Sequence, residues 1–439
     1  MVANSIQQRI AIAVESGTLI APGVIDYDAI TSPGGLWAVT QADTAALRRA
    51  RIENKTIPAR ASDNPTMIRA LRSDATVPLS AYLCGQTSGH AATGVQAVRD
   101  LTSMVLRAAW GGQWVGSGAT MVAGTALNPE VDTGEGAALV PYGWGYFWDA
   151  SAGVGHFRQI ESEAADVLQM APGHTLPFTP ANGDRVYAVE ATYVDWDVAE
   201  DYTDGSHELL RVLIAGRQSD DLFELYGVKP ELQIGAIEQG SPTELSVPLR
   251  LAYFLHDELS ITPDLLQALQ GAPGPIVGAG TTTRAWLANL GSTLAAQQFW
   301  GSITPTTGIV PEQVKGPNGV EGVHGYGLTA DSYRATRLEL SVPFDSQFRT
   351  DAEAGTPKRF LVQVGNAITT GPYAIYCPRC TWVDDPEPGS EASSRRQSTL
   401  RFQCEEARDD GSSGAVDTTG LTAAQIHQAR AKMMILRVA

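Results

Sequence analysis

Val189-Glu190-Ala191-Thr192-Tyr193-Val194, then a loop, then Leu209 to Gly216: this stretch opens a schedule of strands that the chain states twice. Leu222 to Tyr226 follows, and beyond a polar excursion comes Leu249-Arg250-Leu251-Ala252-Tyr253-Phe254. Near residue 338 the pattern returns as Leu338-Glu339-Leu340-Ser341-Val342, Phe360 to Gly365, Pro372 to Tyr376 and Leu400-Arg401-Phe402. Val194 to Gly216 is 22 residues against 23 for Val342 to Gly365, Gly216 to Tyr226 is 10 against 11, and Tyr226 to Leu249 is 23 against 24. Two strand sets on one loop schedule, about 150 residues apart, imply one fold used twice. Two copies are too few for a solenoid and enough for a ring built from duplicated subunits.

Around this frame, Arg9 to Glu15 alternates as a strand before the turn at Ser16-Gly17-Thr18. Thr40 to Ile52 reads either as an Ala/Arg-rich helix or as a long strand exposing Arg48, Arg49 and Arg51. Residues 93–109 carry Val98, Leu101, Val105 and Ala108 on one helical face, and Gly111-Gly112 ends that helix. Residues 111–184 are rich in Gly and aromatics (Trp114, Tyr142, Trp144, Tyr146, Phe147, Trp148), with strands expected at Phe157–Ile160 and Val167–Met170. Thr262 and Pro263 start a short helix that Gly271 ends. Ala431 to Val438 closes the chain as a strand.

The expected class is therefore mainly β: two tandem β-sandwich or barrel domains, each with a flanking helix, plus a small inserted β-barrel. The expected division is an N-terminal arm at 1–30, a first domain from 31–110 with 185–260, an insertion at 111–184, a linker at 261–332 and a second domain at 333–439.

Composition bounds the function. In 439 residues, 43% are hydrophobic, yet no apolar run approaches the roughly 20 residues of a membrane-spanning helix. The N-terminus is polar and lacks a basic region followed by an apolar core, so no signal peptide is expected. Four cysteines do not make a disulfide scaffold. A net charge of −17 argues against a surface that grips nucleic acid by neutralising phosphates. The charge is uneven: residues 185–260 hold 5 Lys/Arg against 15 Asp/Glu, residues 333–410 hold 10 against 12, and residues 31–110 hold 9 against 5. A basic and an acidic segment in one chain can meet between copies of it.

Candidate chemistry is sparse. Cys377-Pro378-Arg379-Cys380, with Cys404, resembles half of a zinc knuckle. However, no fourth ligand is evident, positions i and i+3 of a strand point to opposite faces, and the first copy has Gly227 and Pro230 at the matching places. The cysteines read as small half-buried residues. Asp195-Trp196-Asp197, followed by Glu200, Asp201 and Asp204, lacks the ligand order of a calcium loop and reads as a solvated acidic loop. The seven histidines are scattered, and no nucleophile, base and oxyanion site assembles. No enzyme activity, cofactor or metal is expected.

The chain resembles the tail tube proteins of long-tailed bacteriophages, in the form whose tube fold is duplicated within one chain. The likeness rests on Ala13-Val14-Glu15-Ser16-Gly17-Thr18 with Ala21-Pro22, on Leu79-Ser80-Ala81-Tyr82-Leu83-Cys84-Gly85 before the 93–109 helix, and on Asp184-Arg185-Val186-Tyr187 closing the insertion. It continues through Tyr226-Gly227-Val228-Lys229-Pro230-Glu231-Leu232 and its second version, Tyr376-Cys377-Pro378-Arg379-Cys380-Thr381-Trp382.

The resemblance implies a structural virion protein, made in the cytoplasm of a bacterial host. It would form trimeric, pseudo-sixfold rings that stack into the DNA ejection channel. The implied partners are copies of itself, other phage tail proteins and double-stranded DNA passing without specific binding; membrane insertion is not implied. On this reading the acidic loop of Asp195, Asp197, Glu200 and Asp201 lines the lumen, where carboxylates repel DNA and let it slide. Arg48, Arg49 and Arg51 reach a neighbouring ring or chain. A distal tail or baseplate ring protein of the same fold stays open, as does, more remotely, a β-rich carbohydrate-binding module or enzyme using the aromatics of 142–148.

Overall fold

The computed structural model describes residues 9–15, 55–57, 66–68, 76–83, 85, 101–194, 209–215, 222–251, 253–257, 280, 282–290, 292–294, 296–297, 301–307, 311–320, 323–328, 336–343, 345–388, 397–407 and 416–438. These are mainly β. The first half begins with β1 (Arg9–Glu15), β2 (Thr76–Val77) and α1 (Leu101–Trp110). β3 (Gly111–Val115), β4 (Trp144–Asp149), β5 (Val154–Ala164) and β6 (Arg185–Val194) follow. β7 (Leu209–Ala215), β8 (Leu222–Pro230), β9 (Leu249–Arg250) and β10 (Tyr253–Asp257) complete it. The second half runs β11 (Arg284–Asn289), β12 (Ser302–Thr306), β13 (Arg337–Pro343), α2 (Ser346–Glu353), β14 (Lys358–Val364), β15 (Tyr373–Trp382), β16 (Gln397–Glu405), α3 (Ala423–Arg430) and β17 (Met434–Val438).

One antiparallel pairing scheme recurs. In the first half the order is β1-β7-β8-β9-β2, with β10 also on β8. In the second half β11-β14-β15-β16-β13 run in the corresponding order, with β17 also on β15. Even an irregularity is shared. Val212 and Leu210 of β7 lie opposite Leu225 and Val228 of β8, two steps against three. Phe360 and Lys358 of β14 lie opposite Cys377 and Cys380 of β15, again two against three. Each is a β-bulge, which leaves one residue unpaired and restores the facing of the next. Gly227 sits in the first bulge at φ 58, a left-handed conformation that suits glycine. Pro378 sits in the second, where a missing N–H costs no ladder bond.

The pairing corrects the spacing-based alignment. Bulge on bulge, Leu225 corresponds to Cys377 and Val228 to Cys380, so Tyr226 matches Pro378 rather than Tyr376. Leu249 likewise matches Phe402 rather than Leu400. β13 corresponds to β2, since Leu338 pairs with Phe402 as Val77 pairs with Leu249. The opening segment Val189–Val194, expected to be the counterpart of 338–342, instead forms β6 and extends the second half's sheet through β17, from Val189↔Val438 to Tyr193↔Met434. The stretch 261–332, expected to be a linker, contributes β11 and β12 to that sheet.

The excess chain in the first half falls between β2 and β7. Of the 93–109 helix, the structure shows Leu101–Trp110, with Val105, Leu106, Ala108 and Ala109 buried and Gly111 at φ 84 just beyond the end. The equivalent position between β13 and β14 holds only the polar helix α2, capped by Asp345, whose carboxylate accepts from the Gln347 N–H. Residues 111–184 build their own core from Met121, Val131, Leu139, Phe147, Ile160, Leu168 and Met170.

This insertion docks on the second half. One face of β14, β15 and β17 gives Phe360, Val362, Tyr373, Ile375 and Ile435 to a core shared with Val77, Val105, Leu225 and Leu249 of the first half. The opposite face gives Leu361, Ala374, Tyr376, Met434 and Leu436 to a core shared with Trp144, Tyr146, Phe157 and Tyr193. Burial on both faces explains why these strands read as nearly unbroken apolar runs. The insertion strands, β6 and the second half's sheet together close into a barrel. No described helix is long and apolar enough to cross a membrane.

Candidate functional site

Two polar constellations lie inside this apolar frame. The first pins the insertion and α1 to the second half. Glu190 of β6 points into the interior beside Arg437 of β17, with Nη1 to Oε2 at 3.5 Å and both side chains almost wholly buried. Ser103 Oγ of α1 donates to Glu190 Oε1 at 2.5 Å, and Gln113 Nε2 of β3 donates to the same oxygen at 2.7 Å. One carboxylate thus ties together four elements. A charge in the middle of Val189-Glu190-Ala191, and another in Ile435-Leu436-Arg437-Val438, was a readable sign that each needed a buried partner. Nothing in the sequence said they were each other's.

The docking face carries more buried polarity. Gln363 Nε2 donates to Gly155 O at 2.8 Å, its Oε1 accepts from the Phe157 N–H at 3.2 Å, and Tyr146 donates to Asn366 O at 2.7 Å. Arg158 Nη1 donates to Phe157 O at 2.8 Å, and its guanidinium lies 5.0 Å from the Trp286 ring centroid. Arg359 donates to Pro172 O. Burial, with Arg158 and Arg284 nearby, pushes the His156 pKa down to about 3. His174 is also held well below the ordinary histidine value, by burial and then by Arg359 and Arg158. Both imidazoles are neutral packing groups: Trp144, His174 and Tyr376 meet edge to face at 4.7–5.4 Å. Trp144, Tyr146 and Phe147 have no exposed surface, so these rings form core and offer no platform to a sugar.

The second constellation is sulfur. Cys377, Cys380 and Cys404 place their Sγ atoms within 4.8 Å of one another, all buried. The bulge at Pro378–Arg379 brings Cys377 and Cys380 onto one face, correcting the expectation that residues three apart must diverge. Cys404 comes from the adjacent strand, directly opposite Cys380. Burial pushes the Cys377 and Cys380 thiols well up, whereas hydrogen bonds from those two hold Cys404 below the ordinary thiol value. By the bulge alignment, the first half has Leu225, Val228 and Leu251 at these positions, not Gly227 and Pro230, and all three are buried.

The acidic loop of Asp195, Asp197, Glu200 and Asp201 and the cluster of Arg48, Arg49 and Arg51 lie outside the described residues, as does the 261–271 helix. No protein-family model matches the chain, and no curated protein matches it in sequence.

Proposed function

We propose that this chain is a structural subunit of a bacteriophage tail tube: two tube-like domains in tandem, three chains to a pseudo-sixfold ring, rings stacked around a DNA channel. The observation that carries this reading is the recurrence of one pairing order, with the same bulge, in both halves of the chain. Two copies of one β-fold supply two equivalent ring positions per subunit. A ring interface is heterologous and closes on itself, leaving the axial direction free for stacking. It also removes the open edges that a sheet must otherwise protect.

The way the halves already join supports the same scheme. β6 extends the second half's sheet at β17, and Ile237–Glu238 of the first half pairs with β12. One half lends strands to the other, and the same exchange between chains would close a ring. In this reading Asp195, Asp197, Glu200 and Asp201 face the lumen, and Arg48, Arg49 and Arg51 meet acidic loops of a neighbouring copy.

Negative-stain electron microscopy of the purified full-length chain, alone and at rising concentration, tests the proposal. Tubes or three-lobed rings are expected. Particles that stay monomeric at every concentration, at low and high salt, would overturn it.

A further inference from the structure

We propose that Cys377, Cys380 and Cys404 form a three-thiolate site for one soft, closed-shell metal ion, zinc or monovalent copper, built into the second half alone. Three of the chain's four cysteines meet at one point. They come from two adjacent strands, and the Sγ separations stay within 4.8 Å. Thiolates bound to such an ion at about 2.3 Å sit roughly 4 Å apart, so a small inward movement of each side chain completes the site. Strands hold ligands more rigidly than loops do. Here the bulge sets Cys377 and Cys380, and the Cys404 N–H donates to Thr336 O at 2.9 Å to fix the third.

The repeat supplies a control inside the same molecule. The first half makes the same bulge and the same strand order with Leu225, Val228 and Leu251. The fold therefore needs buried bulk at these positions and does not need sulfur. Three thiols in place of three aliphatics, all at one spot, are a specific substitution rather than a requirement of the strand pairing.

The ligand chemistry narrows the ion. Among the described residues the group contains no imidazole and no carboxylate. An all-sulfur set selects soft ions and disfavours magnesium or calcium. Each thiol that ligates gives its proton to solvent, and the ion's positive charge offsets part of the charge of the buried thiolates, more of it for Zn²⁺ than for Cu⁺. Zinc would add a water as fourth ligand, whereas monovalent copper is content with three sulfurs. Either would fasten β15 to β16 beside the shared core.

The test uses the full-length chain, purified under reducing, oxygen-free conditions. Metal content is measured as isolated, and after titration with Zn²⁺ alone and with Cu⁺ alone against a competing chelator. One ion per chain is expected, and under partly denaturing conditions the three already buried thiols should be alkylated more slowly with the ion than without it. Retention of zinc, and of cobalt with a near-ultraviolet thiolate band when zinc is exchanged, identifies zinc; retention of copper only identifies copper. Cys404→Ala should lower the stoichiometry from one ion per chain to near zero and expose the other two thiols. Because that variant could fail for want of folding, the wild-type result decides. A folded, reduced chain that binds neither ion, or that is isolated with two of these cysteines joined in a disulfide, would overturn the proposal.

Discussion

The two halves share a strand order and a bulge but fill them differently. Around the first bulge the core is aliphatic: Val212, Leu225, Val228, Leu249 and Leu251. Around the second it is aromatic and sulfur: Phe360 and Phe402 stand where the first half has Val212 and Leu249, and three cysteines complete the set. Larger rings beside smaller thiols keep the core filled, as close packing requires. The outer strands differ too. β17 is paired along its length with β6, while among the described residues its counterpart β10 pairs only with β8. One pairing scheme can therefore carry two cores and two sets of neighbours. Backbone hydrogen bonding sets the scheme, and side-chain volume and chemistry set the rest.

The sharpest way to break this asymmetry is at Glu190 and Arg437, the pair that locks the extra strand onto β17. Arg437→Met leaves the Glu190 carboxylate buried with its hydrogen bonds from Ser103 and Gln113 but without its ion-pair partner, at a cost of about 3–5 kcal/mol. Urea unfolding followed by tryptophan fluorescence should show that loss. Glu190→Gln combined with Arg437→Met should recover much of it, because the double change removes both charges. A loss in Arg437→Met that the second substitution leaves untouched would mean the pair is not what holds β6.

Acid should separate the halves next. His156 and His174 lie in the insertion, and both have folded pKa values below the unfolded one, near 6.5. Their sign is fixed: the unfolded chain takes up the protons first, so stability is full above about pH 6.5 and declines below it. For His156 the decline continues until the folded pKa, about 3, is reached. At pH 5 His156 should cost about 2 kcal/mol relative to neutral pH, and His174 adds a loss of the same sign. Unfolding curves at the two pH values test this, with His156→Phe expected to remove its share of the difference. An unchanged slope in that variant would show that His156 does not bury neutral.

How much of this was legible follows from which signals are local. A recurring strand schedule is visible because strand and loop lengths leave a trace in spacing. Its register is not, because a bulge adds a residue that no periodicity reports. Gly227 and Pro378 are the residues that permit the bulges, yet glycine and proline serve many turns equally well. The match of Val189–Val194 to Leu338–Val342 failed for a related reason. Both are short β segments before a loop, and only long-range pairing shows that one extends the other half's sheet. α3 was overlooked although Thr422 and Gln425 form a capping box, with Thr422 accepting from the Gln425 N–H. The three cysteines are legible as a motif, but their sharing one face is not, because the bulge that brings Cys377 and Cys380 together leaves no trace in strand periodicity.

The smallest expected effect is also the most direct comparison of the two cores. Val228→Cys puts the second half's residue into the first. The loss of apolar volume should cost about 0.5–1.5 kcal/mol, like other single-methyl deletions in a packed core. The reverse change, Cys380→Val, behaves differently according to the solution. With a strong chelator present it should cost about 1 kcal/mol, the strain of one extra methyl in a core packed around thiols. With zinc or monovalent copper supplied, wild type should gain stability by mass action and the variant should not. Thermal unfolding of both proteins, with chelator and with each ion, gives four curves per metal. If Cys380→Val costs the same in all of them, sulfur in the second half is packing and nothing more. If the cost rises only when the ion is supplied, the two halves differ in chemistry as well as in shape.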